Sequence, residues 1–276
     1  MKLIKTILIC LISGQLFGTA QIPDFLIFQD DTLAIFSNPL EGYFDEKGAR
    51  KIGEIDFEKG NHCTALWRGY VGTWEIENDS LFLISIQIEY CSDNSIEIDL
   101  REEFSSNKIF ADWVSFEILN PCGKQIKYIH QGYESIYEFE RGFEFVEGEL
   151  ITINNYDNSK SRESVYVKEP TYLHKFFYEN IDWQLVESQN ISDKKRVIVR
   201  FRIGEDEKPT AIELVRGVNQ QIDKEAERII QLIPYWDVYY RRGKIVEDEW
   251  TLPIFFDKEL YEKKIEANNA YNGHVG

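Results

Sequence analysis

Proline is scarce, with seven in 276 residues, too few and too scattered for the Pro-rich spacers that hold domains apart. Basic residues are in short supply as well. Lysine and arginine number 31 against 48 aspartates and glutamates, a net charge of −17, and no basic stretch relieves the imbalance. Nucleic-acid affinity comes mostly from neutralising phosphates, and anionic bilayers attract polybasic segments, so the composition argues against both partners. The acidity reads as solubility. Beyond the first twenty residues no apolar run approaches the length of a membrane span. The glycines form no phosphate-cradling loop and no serine stands in a nucleophile-elbow setting. With 48 carboxylates, Asp/Glu pairs arise at any spacing, and none can be assigned to glycoside hydrolysis. The expectation is a protein that is not an enzyme and uses no cofactor.

What is present begins with residues 1–20, MKLIKTILICLISGQLFGTA: Lys2 and Lys5, a short apolar core from Ile7 to Ile12, and Gly18-x-Ala20 before Gln21. This is the pattern of a secretory signal peptide with cleavage after Ala20. Cys10 is no lipoprotein site, because Ile9 stands where a small residue is needed. A periplasmic or secreted protein is expected, with no membrane insertion once the leader is gone. Cys63, Cys91 and Cys122 then remain. Export permits a disulfide and an odd count leaves one thiol over. The sequence does not choose the pair, and buried free thiols are the default expectation. No metal is expected, since His62, His130 and the cysteines lack any metal-like spacing.

Residues 21–168 read as one β-rich domain. WRGYVGTWEI, the turn ENDS and LFLISIQI form a hairpin pattern, with Tyr70, Gly72, Trp74 and Ile76 on one face and Phe82, Ile84, Ile86 and Ile88 on another. Further runs of aromatic and β-branched residues at 108–119, 124–130, 135–140 and 143–153 predict an antiparallel barrel or sandwich. The polar patch at 154–164 and Glu169-Pro170 mark a domain boundary. Residues 169–257 form a second domain, and 258–276 a charged tail with room for a short helix before it frays. The fold class expected overall is α+β.

The second domain carries the clearest pattern. In RVIVRFRI, Val197, Val199, Phe201 and Ile203 alternate with Arg196, Ile198, Arg200 and Arg202, a strand with one buried face. A polar turn at 204–209 reverses the chain into a second strand, Ala211 to Arg216. Ile222, Ala226, Ile229, Ile230 and Ile233 then recur at helical steps until Pro234 stops the helix. Trp250, Leu252, Ile254 and Phe256 share one face of a third strand. Three strands crossed by one helix, with another helix upstream near 172–180, make a small α+β unit.

The order of VIVRFRI, the charged hairpin, ELVRGVNQQIDKEAERII, Pro234-x-Trp236, Arg242-Gly243-Lys244 and WTLPIFF resembles the C-terminal domain of TonB, the energy-transducing protein of the Gram-negative periplasm. The likeness covers about a third of the chain. It departs from the family pattern at Trp183-Gln184, Glu207 and Val238, which bears on partner specificity. The resemblance implies binding of an extended segment of a protein partner, such as an outer-membrane receptor or another envelope protein, along Glu249, Trp250, Thr251, Leu252, Pro253, Ile254 and Phe255, with Asn180 and Trp183 nearby. It does not imply the full transducer, whose anchor and Pro-rich spacer have no counterpart here. TALWRGYVGTWEI, FADW at 110–113 and YIHQGYESIYE at 128–138 resemble a widespread bacterial domain of unknown function. Within it, Trp67, Arg68 and Tyr70 are candidates for anion binding and His130 for acid–base work. The rival expectation is a strand-end Arg68 stacked on Trp67 or paired with an acid, and a structural His130. A ligand-binding or enzymatic N-terminal domain, docked through the TonB-like domain, is the alternative to the peptide-binding reading.

Overall fold

A computed structural model describes residues 19–59, 63–92, 95–190 and 195–272, with side chains to 266. The expected signal peptide falls almost wholly outside the described residues, and so does His62. The chain divides into two compact units: 1–121, 127–135 and 141–154 in the first, and 122–126, 136–140 and 155–276 in the second. The second unit therefore takes in strand segments upstream of the polar patch at 154–164.

In chain order the first elements are β1 (Asp24–Phe28), β2 (Asp31–Ile35), α1 (Leu40–Lys47), β3 (Lys51–Ile52), β4 (Ile55–Asp56), β5 (Tyr70–Glu77), β6 (Ser80–Ile88), β7 (Ile96–Glu97), α2 (Arg101–Phe104), β8 (Ile109–Phe110), β9 (Glu117–Lys127), β10 (Ile136–Val146) and β11 (Glu149–Asp157). One sheet runs in the order β2-β1-β5-β6-β11-β10-β9, with β7 and β8 added to β6. Three of its hairpins turn on two residues with positive φ, Gln29-Asp30, Asn78-Asp79 and Glu147-Gly148. Such turns match the right-handed twist of the strands they join.

The sheet is not a closed barrel, and it is not wholly antiparallel, which corrects the expected barrel. β5 runs parallel to β1, because the chain between β2 and β5 makes a long excursion through α1, and only a long crossover can return a strand in parallel. Without any strand pairing between β2 and β9 among the described residues, the Phe36 N–H donates to the Leu119 carbonyl at 2.7 Å and the Asn120 side-chain amide to the Ala34 carbonyl at 2.8 Å.

The buried face of β6 also differs from expectation. Leu81, Leu83 and Ile86 are fully buried, so the expected row Phe82, Ile84, Ile86 and Ile88 does not keep to one face: Ile86 is buried and Phe82 and Ile84 are not. Thr73 pairs with Ser85 and Trp74 with Leu83, so Ile84 is an extra residue at a register shift. One inserted residue moves the inward row from odd to even positions. Trp74, Phe143 and Phe145 complete the core beside Leu26 and Phe44. Cys63 and Cys91 form a disulfide that does not include Cys122, a correction to the default of three free thiols.

The later elements are α3 (Val165–Lys168), α4 (Pro170–Asn180), α5 (Trp183–Ser188), β12 (Arg196–Ile203), β13 (Pro209–Arg216), α6 (Gln220–Gln231), β14 (Tyr240–Arg241), β15 (Lys244–Ile245), β16 (Glu249–Phe255) and α7 (Lys258–Asn272). β13, β12 and β16 form a three-stranded antiparallel sheet in that order. Asn219 caps α6, its side chain accepting from the Gln221 and Ile222 N–H groups at 3.1 and 3.0 Å; a cap of this kind satisfies donors that the helix itself leaves unpaired. Ile222, Ala226, Ile229, Ile230 and Ile233 are buried with Val197, Val199 and Phe201, the helix stripe and strand face that the period predicts. The expected charged tail is a helix, α7, over most of its length.

Candidate functional site

β16 lies at the edge of the three-stranded sheet, paired on one side with β12. Thr251 stands opposite Arg200, Pro253 opposite Ile198 and Phe255 opposite Arg196. The Phe255 N–H does not point toward β12, because it donates to the Tyr261 hydroxyl of α7 at 3.0 Å. In an antiparallel strand the backbone groups alternate in direction with period two. Phe255, Pro253, Thr251 and Glu249 therefore all direct their backbone groups away from β12. Pro253 fits this row, since a proline in a sheet is tolerated where its missing N–H would face outward. The outward donors are then Glu249 and Thr251, with Phe255 already engaged by Tyr261.

Side chains divide along the same parity. Trp250 and Leu252 are half-buried toward α6, and Ile254 is buried; Trp250 packs edge-on against Trp236 at 5.7 Å. On the opposite face Arg202 holds Glu249 through Nη2 at 2.8 Å and Nε at 3.1 Å, and this hydrogen bonding lowers the Glu249 carboxyl below its usual range. Trp183 belongs to this neighbourhood, its ring 6.4 Å from that of Tyr261. Asn180 turns elsewhere: its carbonyl accepts from Arg228 of α6 at 2.6 Å.

The N-terminal candidates do not converge. Trp67 is 59% exposed, whereas Arg68 is 1% exposed and Tyr70 fully buried. His130 is exposed, its Nδ1 2.9 Å from the Tyr128 hydroxyl. Arg68 stacks over the Tyr70 ring at 5.3 Å rather than on Trp67, and it pairs with an acid the sequence did not single out. Arg68 Nη2 donates to Asp24 Oδ1 at 2.7 Å, and Asp24 also accepts from the Gly72 N–H at 2.9 Å and Trp74 Nε1 at 3.1 Å. Gly72 is required for this approach, because a Cβ there would sit 2.8 Å from the carboxylate. Arg68 Nη1 donates to the Ile22 carbonyl at 2.9 Å and to the Tyr133 hydroxyl at 3.0 Å.

Burial pushes the Asp24 carboxyl up, against the pull of Arg68 and the two N–H donors. Burial likewise raises the Tyr133 phenol and raises Tyr70 well above its ordinary value, so both stay protonated near neutrality. A guanidinium with almost no exposed surface has nothing to offer a solute anion. The cluster clamps β1 to β5. Asp24 gave no signal in the sequence, opening a strand where an acid is unremarkable. Tyr261 was better marked, since Tyr261 and Ile265 are apolar residues four apart in a charged tail.

Comparisons with protein-family models, curated proteins and solved structures give no significant match to the chain.

Proposed function

We propose that the chain is an exported, non-enzymatic protein of the cell envelope, and that its second unit binds an extended segment of a protein partner by strand addition along β16. One observation carries the reading: the outward backbone row of an edge strand, with Thr251 at its centre. An added strand pairs through such groups, and alternate side chains set specificity. Half-buried Trp250 and Leu252 are the apolar neighbours that alternate residues of the partner would meet. The order of elements similar to TonB supports the same edge and suggests an outer-membrane receptor or another envelope protein as partner. Export is supported by the leader pattern and by the Cys63–Cys91 disulfide, a bond typical of oxidising compartments.

Thr251→Pro tests the reading. It removes an outward donor and no bond to β12, so circular dichroism should remain that of the parent while capture of partners from envelope extract is lost. A folded variant that retains every partner of the parent would sink the proposal.

A further inference from the structure

We propose that α7 is a displaceable cap on the binding edge, a device that shortens the row of donors while it is docked; the proposal rests on the strand-addition reading. Tyr261 fills the position of a partner backbone. Its hydroxyl takes the Phe255 N–H at 3.0 Å, and Lys264 Nζ lies over the Phe255 ring at 5.4 Å. With α7 docked, Phe255 has no donor left for an added strand, Pro253 never had one, and donation is confined to Glu249 and Thr251. A partner pairing along the whole of β16 has to dislodge Tyr261.

The docking is built to give way. Of the α7 side chains described, Tyr261 is the one that is fully buried. It packs against Phe177 edge-on at 6.1 Å, His174 at 6.0 Å and Trp183 at 6.4 Å. The polar ties among the described side chains are half-exposed, Tyr178 to Glu262 at 2.9 Å and Lys264 to His174 Nε2 at 3.3 Å. Ties of that kind contribute little in water, and elements with few buried apolar contacts open ahead of the rest of a fold. Beside the link from β16 to α7 lies a hollow of about 460 Å³ between Trp183 and Val186 on one side and Phe256 to Glu259 on the other, which leaves room for the link to swing.

Tyr261→Phe in the full chain isolates the cap, because it removes the accepting oxygen and keeps the ring. Lys264→Ala is the second variant, needed if the first fails to fold. Two readouts are required. Hydrogen exchange at the Phe255 amide should quicken by about tenfold or more in either variant, while the Thr251 amide stays as fast as in the parent. Binding is then measured with a synthetic peptide of residues 196–203, RVIVRFRI, the strand that already complements β16 from its inner side. The variants should bind it several-fold more tightly than the parent, and Thr251→Pro not at all. Unchanged exchange at Phe255 overturns the cap. Faster exchange without tighter peptide binding also overturns it, while loss of binding in Thr251→Pro leaves strand addition standing. Peptide binding that survives Thr251→Pro, or that is absent from every form, overturns both.

Discussion

The pair Asp24–Arg68 is asymmetric in what each partner does when left alone. An arginine cannot shed its charge inside a protein, whereas burial already favours the protonated form of Asp24. Asp24→Asn therefore strands a charge and should cost about 3–5 kcal/mol of stability. Arg68→Met leaves a carboxyl that can take up a proton, and should cost clearly less. The double variant should recover much of the loss, as buried ion pairs replaced by apolar residues often do. Urea unfolding of the three variants gives the order, and an Arg68→Met loss equal to that of Asp24→Asn would contradict it. Glu103 titrates in the opposite sense. A hydrogen bond from Lys47, with the Gly53 N–H adding to it, lowers its carboxyl from 4.5 to about 2. The unfolded chain then binds the proton first, so this stability is full above pH 4.5 and drains away as pH falls toward 2. Glu103→Gln should flatten the acid limb of the stability curve across that window. An unchanged limb would place the loss on other carboxylates.

Helix and strand periods were readable wherever one element packs on one face. α6 kept its stripe because a surface helix obeys a single period, and β12 kept its alternation because α6 covers one side of it. β6 did not, since the extra residue at Ile84 reverses the inward row and nothing in LFLISIQI marks the place. The contact of α4 with α7 was hidden for a different reason, being a meeting of elements far apart in the chain. It carries a pH dependence of its own. Burial, and then the neighbouring Lys264 ammonium, hold His174 below its ordinary value of 6.5. Its Nε2 faces Lys264 and its Nδ1 is buried without a hydrogen-bond partner, while Tyr261 contributes only the side of a ring. A histidine depressed in the fold contributes stability above its unfolded pKa, and that contribution is lost as pH falls through the folded value. Protection of the Phe255 amide, corrected for intrinsic exchange, should thus weaken as pH drops below 6.5. His174→Gln should remove the dependence; if it persists, another group governs the docking of α7.

At the scale of the whole molecule, the classes of function that the sequence disfavours rest on charge and composition, which need no coordinates. The candidate edge entered through the resemblance to the TonB domain; alternation in WTLPIFF marked only which face of the strand is apolar. Asp24, Tyr133 and the choice of disulfide were not legible, because each depends on distances between segments separated by dozens of residues. That disulfide joins export to structure in one measurement. The loop from Cys63 to Cys91 spans 28 residues, and closing a loop of this length restricts the unfolded chain by roughly 3–4 kcal/mol. If the chain is exported as proposed, the bond would form in an oxidising compartment and the leader, with Cys10, would be gone. A processed, exported chain unfolded without reductant should therefore react with one equivalent of thiol reagent, at Cys122. A chain retained in a reducing compartment with its leader should react with four, at Cys10, Cys63, Cys91 and Cys122. Mass spectrometry of the labelled protein distinguishes these outcomes, since the processed form begins at Gln21 and is lighter by the first twenty residues. Labelling at Cys63 and Cys91 in the processed chain would count against the disulfide, while an intact leader with the bond in place would count against export through this signal.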